Sequence, residues 1–180
     1  TINNNKGILE GYNTDVAGFL LGLKKIKKLN LKEPAIVLGA GGAAESVVYS
    51  LHLIGVKNIY IMNRTNNRAQ KLARKYTEAK AIKWIEYDLV NNAGLIVNTT
   101  SLGMIGYPAH PISLKNADKA TKVYDIVYNP LETKTFKYLK EKGKKVFNGL
   151  DMFIYQGQKS FYLWNKINPE IDETLVELLK

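Results

Sequence analysis

Six groups of residues have the types and spacing to do chemistry. Gly39-Ala40-Gly41-Gly42-Ala43-Ala44 is a glycine-rich run that can bend tightly and admit an anion against bare backbone. Asn63-Arg64-Thr65-Asn66-Asn67-Arg68 places two arginines four residues apart with a hydroxyl between them, a set able to clamp a phosphate. Asn98-Thr99-Thr100-Ser101-Leu102-Gly103-Met104 concentrates hydroxyls and small residues, which suits a loop passing under a ribose. Asn13-Thr14-Asp15 is the acidic motif placed as if to do chemistry, with Tyr128 just beyond a strand end and Gln156 on a helix with Tyr155 and Phe161 as further polar candidates. Each also has a plain structural reading. The glycines can serve packing, Thr65 or Asn66 can cap a helix beside solvated arginines, Asp15 can sit in a helix start, and Asn98–Met104 can be a hydrogen-bonded turn.

The flanking elements decide between these readings. Ala35-Ile36-Val37-Leu38 is a short β-prone run directly before the glycines, and a helix follows over Ala44–Leu53. A strand, a glycine turn and a helix in that order form a dinucleotide-binding unit. One glycine makes the bend, one admits the pyrophosphate, and a small third residue allows close helix–strand packing. The helix N-terminus then offers unpaired N–H groups to phosphate oxygens. In such units an acidic residue roughly 20 positions on reads the ribose of NAD. Here the second strand, Ile59-Tyr60-Ile61-Met62, runs into Asn63-Arg64 instead. A carboxylate would repel a 2′-phosphate and a guanidinium pairs with it, so the pattern points to NADP.

The rest of the chain continues the alternation. Helices are predicted over Thr14–Lys28, Asn67–Tyr76, Glu132–Lys142, Met152–Asn165 and Pro169–Leu179, with a helical turn near Tyr87–Asn91. The strand end Ile8–Tyr12 and strands Ala81–Trp84, Leu95–Asn98, Lys122–Asp125 and Lys145–Phe147 fall between or before them, and a long loop carries Pro108 and Pro111. The expected architecture is α/β: a Rossmann-like, doubly wound, mainly parallel six-stranded sheet with helices on both faces. Asn98–Met104 then lies at the carboxyl rim of the fourth sheet strand, where ligands of open α/β sheets sit.

Composition narrows the class. The 180 residues, 46% hydrophobic and 23% charged, match a globular chain with one good core. No apolar run approaches the roughly 18 residues of a membrane helix, and the polar opening is unlike a signal peptide. A cytoplasmic setting without a membrane partner is therefore expected. With no cysteine there is no disulfide or thiolate chemistry, and His52 and His110 are too few and too far apart to suggest a metal site. The net charge of +10 invites a nucleic-acid partner, but the lysines are spread over helix faces without interleaved aromatics. A solvated surface, with a field that draws in a polyanionic cofactor, accounts for the charge.

Taken together, Asn13-Thr14-Asp15-x-x-Gly18, Gly39–Ala43, Asn63-Arg64-Thr65-x-x-Arg68, Asn98-Thr99-Thr100-Ser101-x-Gly103-Met104, Tyr124–Pro130 and Gly149-Leu150-x-Met152-x-x-x-Gln156 follow one order and spacing. That order resembles the shikimate dehydrogenase family from Gly11 to about Trp164. The resemblance implies reversible NADPH-dependent reduction of 3-dehydroshikimate to shikimate, in aromatic amino-acid biosynthesis. It implies that Asp15 bonds the substrate hydroxyls and pairs with a catalytic lysine, and that Tyr128 and Gln156 contact shikimate. Gly39, Ala40, Gly41, Gly42 and Ala43 would hold the pyrophosphate. Asn63, Arg64, Thr65, Asn66, Asn67 and Arg68 would hold the 2′-phosphate, Thr99 would line the cofactor site, and Ile126, Gly149 and Met152 would flank the nicotinamide.

Two features depart from the family. Its catalytic lysine, substrate-binding serines and asparagine belong to an amino-terminal domain that would precede Thr1. Residues 1–14 are thus expected to be a link to that domain, 15–149 the cofactor domain, and 150–180 helices packing toward the substrate side. The chain alone is expected to bind NADP without useful turnover. Phe153, Phe161, Tyr162 and Trp164 would be left exposed, favouring either self-association, as in a homodimer, or disorder. The second departure is Asp151, where the family more often has glycine; it would either disturb the cofactor or cap a helix toward solvent. Three alternatives stay open: an NAD-dependent quinate/shikimate dehydrogenase, a cofactor domain like that of glutamyl-tRNA reductase, and a non-catalytic basic binding module.

Overall fold

A computed structural model describes residues 1–83, 92–109, 117–118 and 120–180. The predicted helical turn at Tyr87–Asn91, and also Trp84, His110 and Pro111, lie outside the described residues.

The chain opens with a hairpin, β1 (Ile2–Asn5) and β2 (Ile8–Gly11), paired antiparallel with Asn5 opposite Ile8. Only the β2 half was expected. Three consecutive asparagines are poor strand formers, but Lys6 at φ 51° and Gly7 at φ 91° make a two-residue turn whose twist matches a hairpin. Helix α1 (Thr14–Lys24) is capped by Asn13, whose side chain accepts the Asp15 N–H. It stops four residues short of the predicted end. Lys25 N–H and Ile26 N–H bond back to Gly22 and Leu23, and the tightened turn carries Ile26 into the core.

The main sheet holds β3 (Ala35–Leu38), β4 (Ile59–Met62), β5 (Ala79–Ile82), β6 (Leu95–Asn98), β7 (Lys122–Asp125) and β8 (Lys145–Phe147). Its order is β5-β4-β3-β6-β7-β8, and every neighbouring pair is parallel. This is the doubly wound sheet expected, now parallel throughout. Strand β5 lies two residues earlier than Ala81–Trp84 because Ala79 pairs with Ile59 and Ile82 with Met62, the register that buries both ends of the strand.

Period-two alternation divides the core. Ala35, Val37, Ile59, Ile61, Leu95 and Val97 face one layer, with Phe19 and Leu23 of α1, α2 (Gly42–Leu53), α3 (Asn66–Ala73) and Met152 of α5 (Leu150–Asn165). Ile36, Leu38, Met62, Ile96 and Val123 face the other, against Phe136 and Leu139 of α4 (Lys134–Glu141). Helix α6 (Glu173–Leu178) begins later than Pro169, because Asp172 caps it through the Leu175 N–H. Helix α4 likewise begins only after Thr133, which caps it through the Phe136 N–H. Among the described residues no helix is long and apolar enough to cross a membrane.

Candidate functional site

Strand order reverses at β3, which has β4 on one side and β6 on the other. Ligands of open α/β sheets occupy the crevice at the carboxyl ends of such a pair. Here that crevice is closed at its base by Thr99, whose N–H and Oγ1 both donate to the Leu38 carbonyl, at 2.8 and 2.7 Å. Gly39 comes next at φ 114°, and a Cβ on it would lie 2.5 Å from Thr99 Oγ1. Glycine is required there by backbone and space together. Gly41 and Gly42 differ: both are exposed, and a Cβ on either would meet nothing within 4 Å. The open space lies in front of the α2 N-terminus, where Gly41 is an N-cap with no side-chain bond. A bare backbone cradle ahead of free N–H groups fits a pyrophosphate.

At the end of β4, Asn63 Nδ2 donates to the Thr65 carbonyl at 2.8 Å and shapes the turn into α3. Thr65 occupies the N-cap position but makes no side-chain capping bond. Asn66 and Asn67 form the exposed first turn of α3, followed by Arg68. Neither Arg64 nor Arg68 has a polar partner among the described residues, and both are exposed. A groove of about 300 Å³ runs from Ala40, Gly41 and Gly42 past Glu45 to Arg68, Lys71 and Lys75. The last two and Glu45 were not predicted as site residues, although Arg68 and Lys71 are spaced along one face of α3 and Lys75 follows just beyond its end. A larger cavity, about 500 Å³, lies at the opposite end of the sheet beside Gly94, Thr121 and Lys122. It is remote from the glycine turn.

On the β6–β7 rim, a buried polar network holds the loops. Asn98 Nδ2 donates to Asp125 Oδ1 at 2.8 Å, and Asn98 Oδ1 accepts the Thr100 N–H and Oγ1 at 3.0 and 2.7 Å. Asp125 also accepts the Val127 N–H at 3.1 Å and the Thr133 hydroxyl at 3.4 Å. Burial pushes the Asp125 carboxyl up to about 6, against the opposing pull of those three donors. Beyond Asp125, Ile126 meets Gly149 so closely that a Cβ on the glycine would fall 1.9 Å from the Ile126 carbonyl oxygen. Gly149 leads into α5 and the buried Met152. Asp151 stands in the first turn of α5, partly exposed, and makes a contact that the expectation did not include. It accepts from Lys25 Nζ at 2.6 Å, tying α5 to the end of α1, with Lys25 also 5.2 Å from the Tyr155 ring. Both partners are partly exposed, so the pair contributes little to stability.

Helices α1 and α5 touch through glycine. A Cβ on Gly18 would lie 2.5 Å from the Met152 carbonyl oxygen and 3.0 Å from Gln156 Cβ. Asp15, one turn before Gly18, is half-buried, and its carboxylate has no polar partner among the described residues. Gln156 Nε2 donates to the Phe153 carbonyl at 3.0 Å, and Tyr128 stacks on Phe153 with centroids 4.3 Å apart. The sequence-predicted residues thus form two groups. Gly39–Ala43 and Thr99 lie at the β3–β6 crevice, with Arg68 of the Asn63–Arg68 turn sharing a groove with Ala40–Gly42, whereas Tyr128 and Gln156 gather around Phe153 on α5, beside α1. Phe161, Tyr162 and Trp164 are exposed as expected, while Phe153 is half-buried by Tyr128. His52 is engaged by Glu78 at 2.7 Å.

Comparison with known proteins gives a family model described as shikimate / quinate 5-dehydrogenase, matched over residues 21–126. Shikimate dehydrogenase (NADP(+)) of Caldanaerobacter subterraneus subsp. tengcongensis is 42% identical over 170 residues, which is 91% of this chain and 61% of that protein. The structure of shikimate 5-dehydrogenase from Thermus thermophilus in complex with NADP(H) and shikimate matches with a TM-score of 0.84 and 35% identity, covering 99% of this chain and 65% of that one. Quinate dehydrogenase from Corynebacterium glutamicum in complex with NAD matches with a TM-score of 0.90 and 27% identity, covering 99% and 66%. The chain spans about three-fifths of the length of the curated relatives it matches. The family match takes in the glycine turn, both arginines, Thr99 and Ile126. The chain belongs to the shikimate / quinate 5-dehydrogenase family.

Proposed function

We propose that this chain is the NADP-binding portion of a shikimate dehydrogenase that reversibly reduces 3-dehydroshikimate to shikimate. Residues 15–149 hold the cofactor, and 150–180 form part of the substrate side. The observation that carries the reading is the pair of uncommitted guanidiniums, Arg64 and Arg68, at the end of β4. An acidic residue there would read the ribose of NAD; two cations with no counter-charge favour a 2′-phosphate.

Bound NADPH supplies the hydride that turns the substrate carbonyl into a hydroxyl. The chain's own residues bind and orient. Gly41 and Gly42 admit the pyrophosphate to the α2 N-terminus, and Gly39 with Thr99 holds the turn in place. Ile126, Gly149 and Met152 form the wall for the nicotinamide. Asp15 offers a free carboxylate to substrate hydroxyls, and Tyr128 and Gln156 hold the substrate from the α5 side. The same carboxylate orients the proton donor that balances the hydride. A cytoplasmic setting and self-association as a homodimer, through the partly exposed Phe161, Tyr162 and Trp164, go with this reading.

The deciding experiment is a titration with NADP and with NAD, repeated on Arg64→Ala. A preference for NADP that falls by about 1–3 kcal/mol in the variant, as for a charge-assisted bond, supports the assignment. Equal binding of the two cofactors before substitution would remove its basis and favour an NAD-dependent quinate/shikimate enzyme.

A further inference from the structure

The groove between α2 and α3 carries more charge than a pyrophosphate and a two-arginine clamp require. Its floor is the glycine turn. Its α3 side carries Arg68, Lys71 and Lys75, and its α2 side carries Glu45. Lys75 and Glu45 form an ion pair across the groove. Arg68 and Lys71 have no counter-charge among the described residues. One acid therefore cancels one of three cations and leaves two free.

Glu45 stands in the first turn of α2, where the helix dipole favours a carboxylate. The same carboxylate opposes any anion docked at that N-terminus and occupies a lysine that could face the anion instead. A purely structural strap between α2 and α3 is a weak reason for the pair, since both side chains are about half exposed and such pairs stabilise little.

Resting on the reading of this chain as an NADP-binding protein, we propose that Lys71 is a third cation reading the 2′-phosphate. We further propose that Glu45, by holding Lys75, sets how strongly the groove distinguishes that phosphate from a hydroxyl. When the phosphate enters, Arg68 and Lys71 meet it directly. Lys75 is then shared between the phosphate and Glu45, so the acid limits the preference for the phosphorylated cofactor.

The test is a titration of the full 180-residue chain with NADP and NAD at low salt, comparing the affinity ratio across variants. Lys71→Ala should lower the NADP/NAD ratio roughly two- to fivefold, the range of one exposed charge pair. Lys71→Arg should restore it. Glu45→Gln should raise the ratio by a similar factor, because it releases Lys75. Lys137→Ala, an equal charge change on α4, should leave the ratio alone. Affinity for NAD, which lacks the phosphate, reports whether each variant keeps its fold. A ratio unchanged in Lys71→Ala, or unchanged or lowered in Glu45→Gln, overturns this inference while leaving the NADP assignment standing. Absence of any NADP preference in the unsubstituted chain overturns the NADP assignment itself, and this inference with it.

Discussion

Replacing Asp125 by asparagine isolates the electrostatic cost of the rim that holds the β6 and β7 loops. The carboxyl is buried, and its pKa stands at about 6 against an ordinary value of 3.8. The folded state therefore keeps its proton over a range in which the unfolded chain has lost it. Between those two values the native protein binds more protons, so this group's contribution to stability falls as pH rises. The penalty is absent below about pH 4 and fully present above about pH 6. A rise from 3.8 to about 6, at roughly 1.4 kcal/mol per unit of pKa, amounts to about 3 kcal/mol. Asparagine keeps Oδ1 as acceptor for Asn98 and the Val127 N–H, and its new amide faces the Thr133 hydroxyl, which can turn to accept. Asp125→Asn should then be more stable than the parent at pH 7, by up to about 3 kcal/mol, with the difference vanishing near pH 4. Urea unfolding of both proteins at several pH values measures it, and subtracting one curve from the other cancels the shared carboxylates, such as Glu78 and Glu132, whose lowered values act in the opposite direction. A variant uniformly less stable at every pH would refute the reasoning, because it would make the Asn98–Asp125–Thr133 bonds worth more than the buried charge costs.

Two glycine comparisons separate backbone requirements from ligand space. Gly39→Ala should cost about 2–3 kcal/mol in denaturant unfolding, from a positive φ and the collision with Thr99 Oγ1. Gly41→Ala, with φ at −96° and open space around its Cβ, should change stability by less than about 0.5 kcal/mol. It should still weaken NADP binding on the order of tenfold, read by calorimetry, because the methyl takes the pyrophosphate's place. The Tyr124 hydroxyl is buried without a hydrogen-bond partner by geometry, and burial raises its pKa well above the usual range, so Tyr124→Phe should be neutral or stabilising by about 1 kcal/mol. Gly22→Ala should destabilise the parent, since its Cβ would lie 2.6 Å from that hydroxyl. In the Tyr124→Phe background it should turn favourable, a sign change that thermal melts of the double-mutant cycle can read.

What could be read in advance follows from where each constraint resides. Strands buried on both faces announce themselves as largely apolar runs, as Ala35–Leu38, Ile59–Met62 and Leu95–Asn98 do, and these together with Lys122–Asp125 match the observed strands residue for residue. Gly39 was legible because one residue type answers a positive φ and a tight approach at a single position. The β1 half of the hairpin was hidden because pairing and the Lys6-Gly7 turn impose it on asparagines that would not choose a strand. The Lys25 partner of Asp151 was hidden for a related reason: it lies far away in sequence, at the end of another helix.

The charged groove shows the same division inside one site. Arg64 and Arg68 stand out in the sequence by their place after a strand, and Lys71 follows Arg68 at helical spacing, with Lys75 just past the end of α3. The presence of Glu45 opposite Lys75 depends on where the sheet seats α2 and α3, each packed on its own strands with Ala69 and Leu72 in the shared core. Charge compensation is a property of the pair of helices, not of either segment. On the proposals above, cofactor discrimination in this chain would be set at two levels: the motif after β4 would decide which cofactor is favoured, and an acid on the neighbouring helix by how much. A change of preference could then arise by substitution at Glu45 with the Asn63–Arg68 motif untouched, a route that inspection of the motif alone would miss.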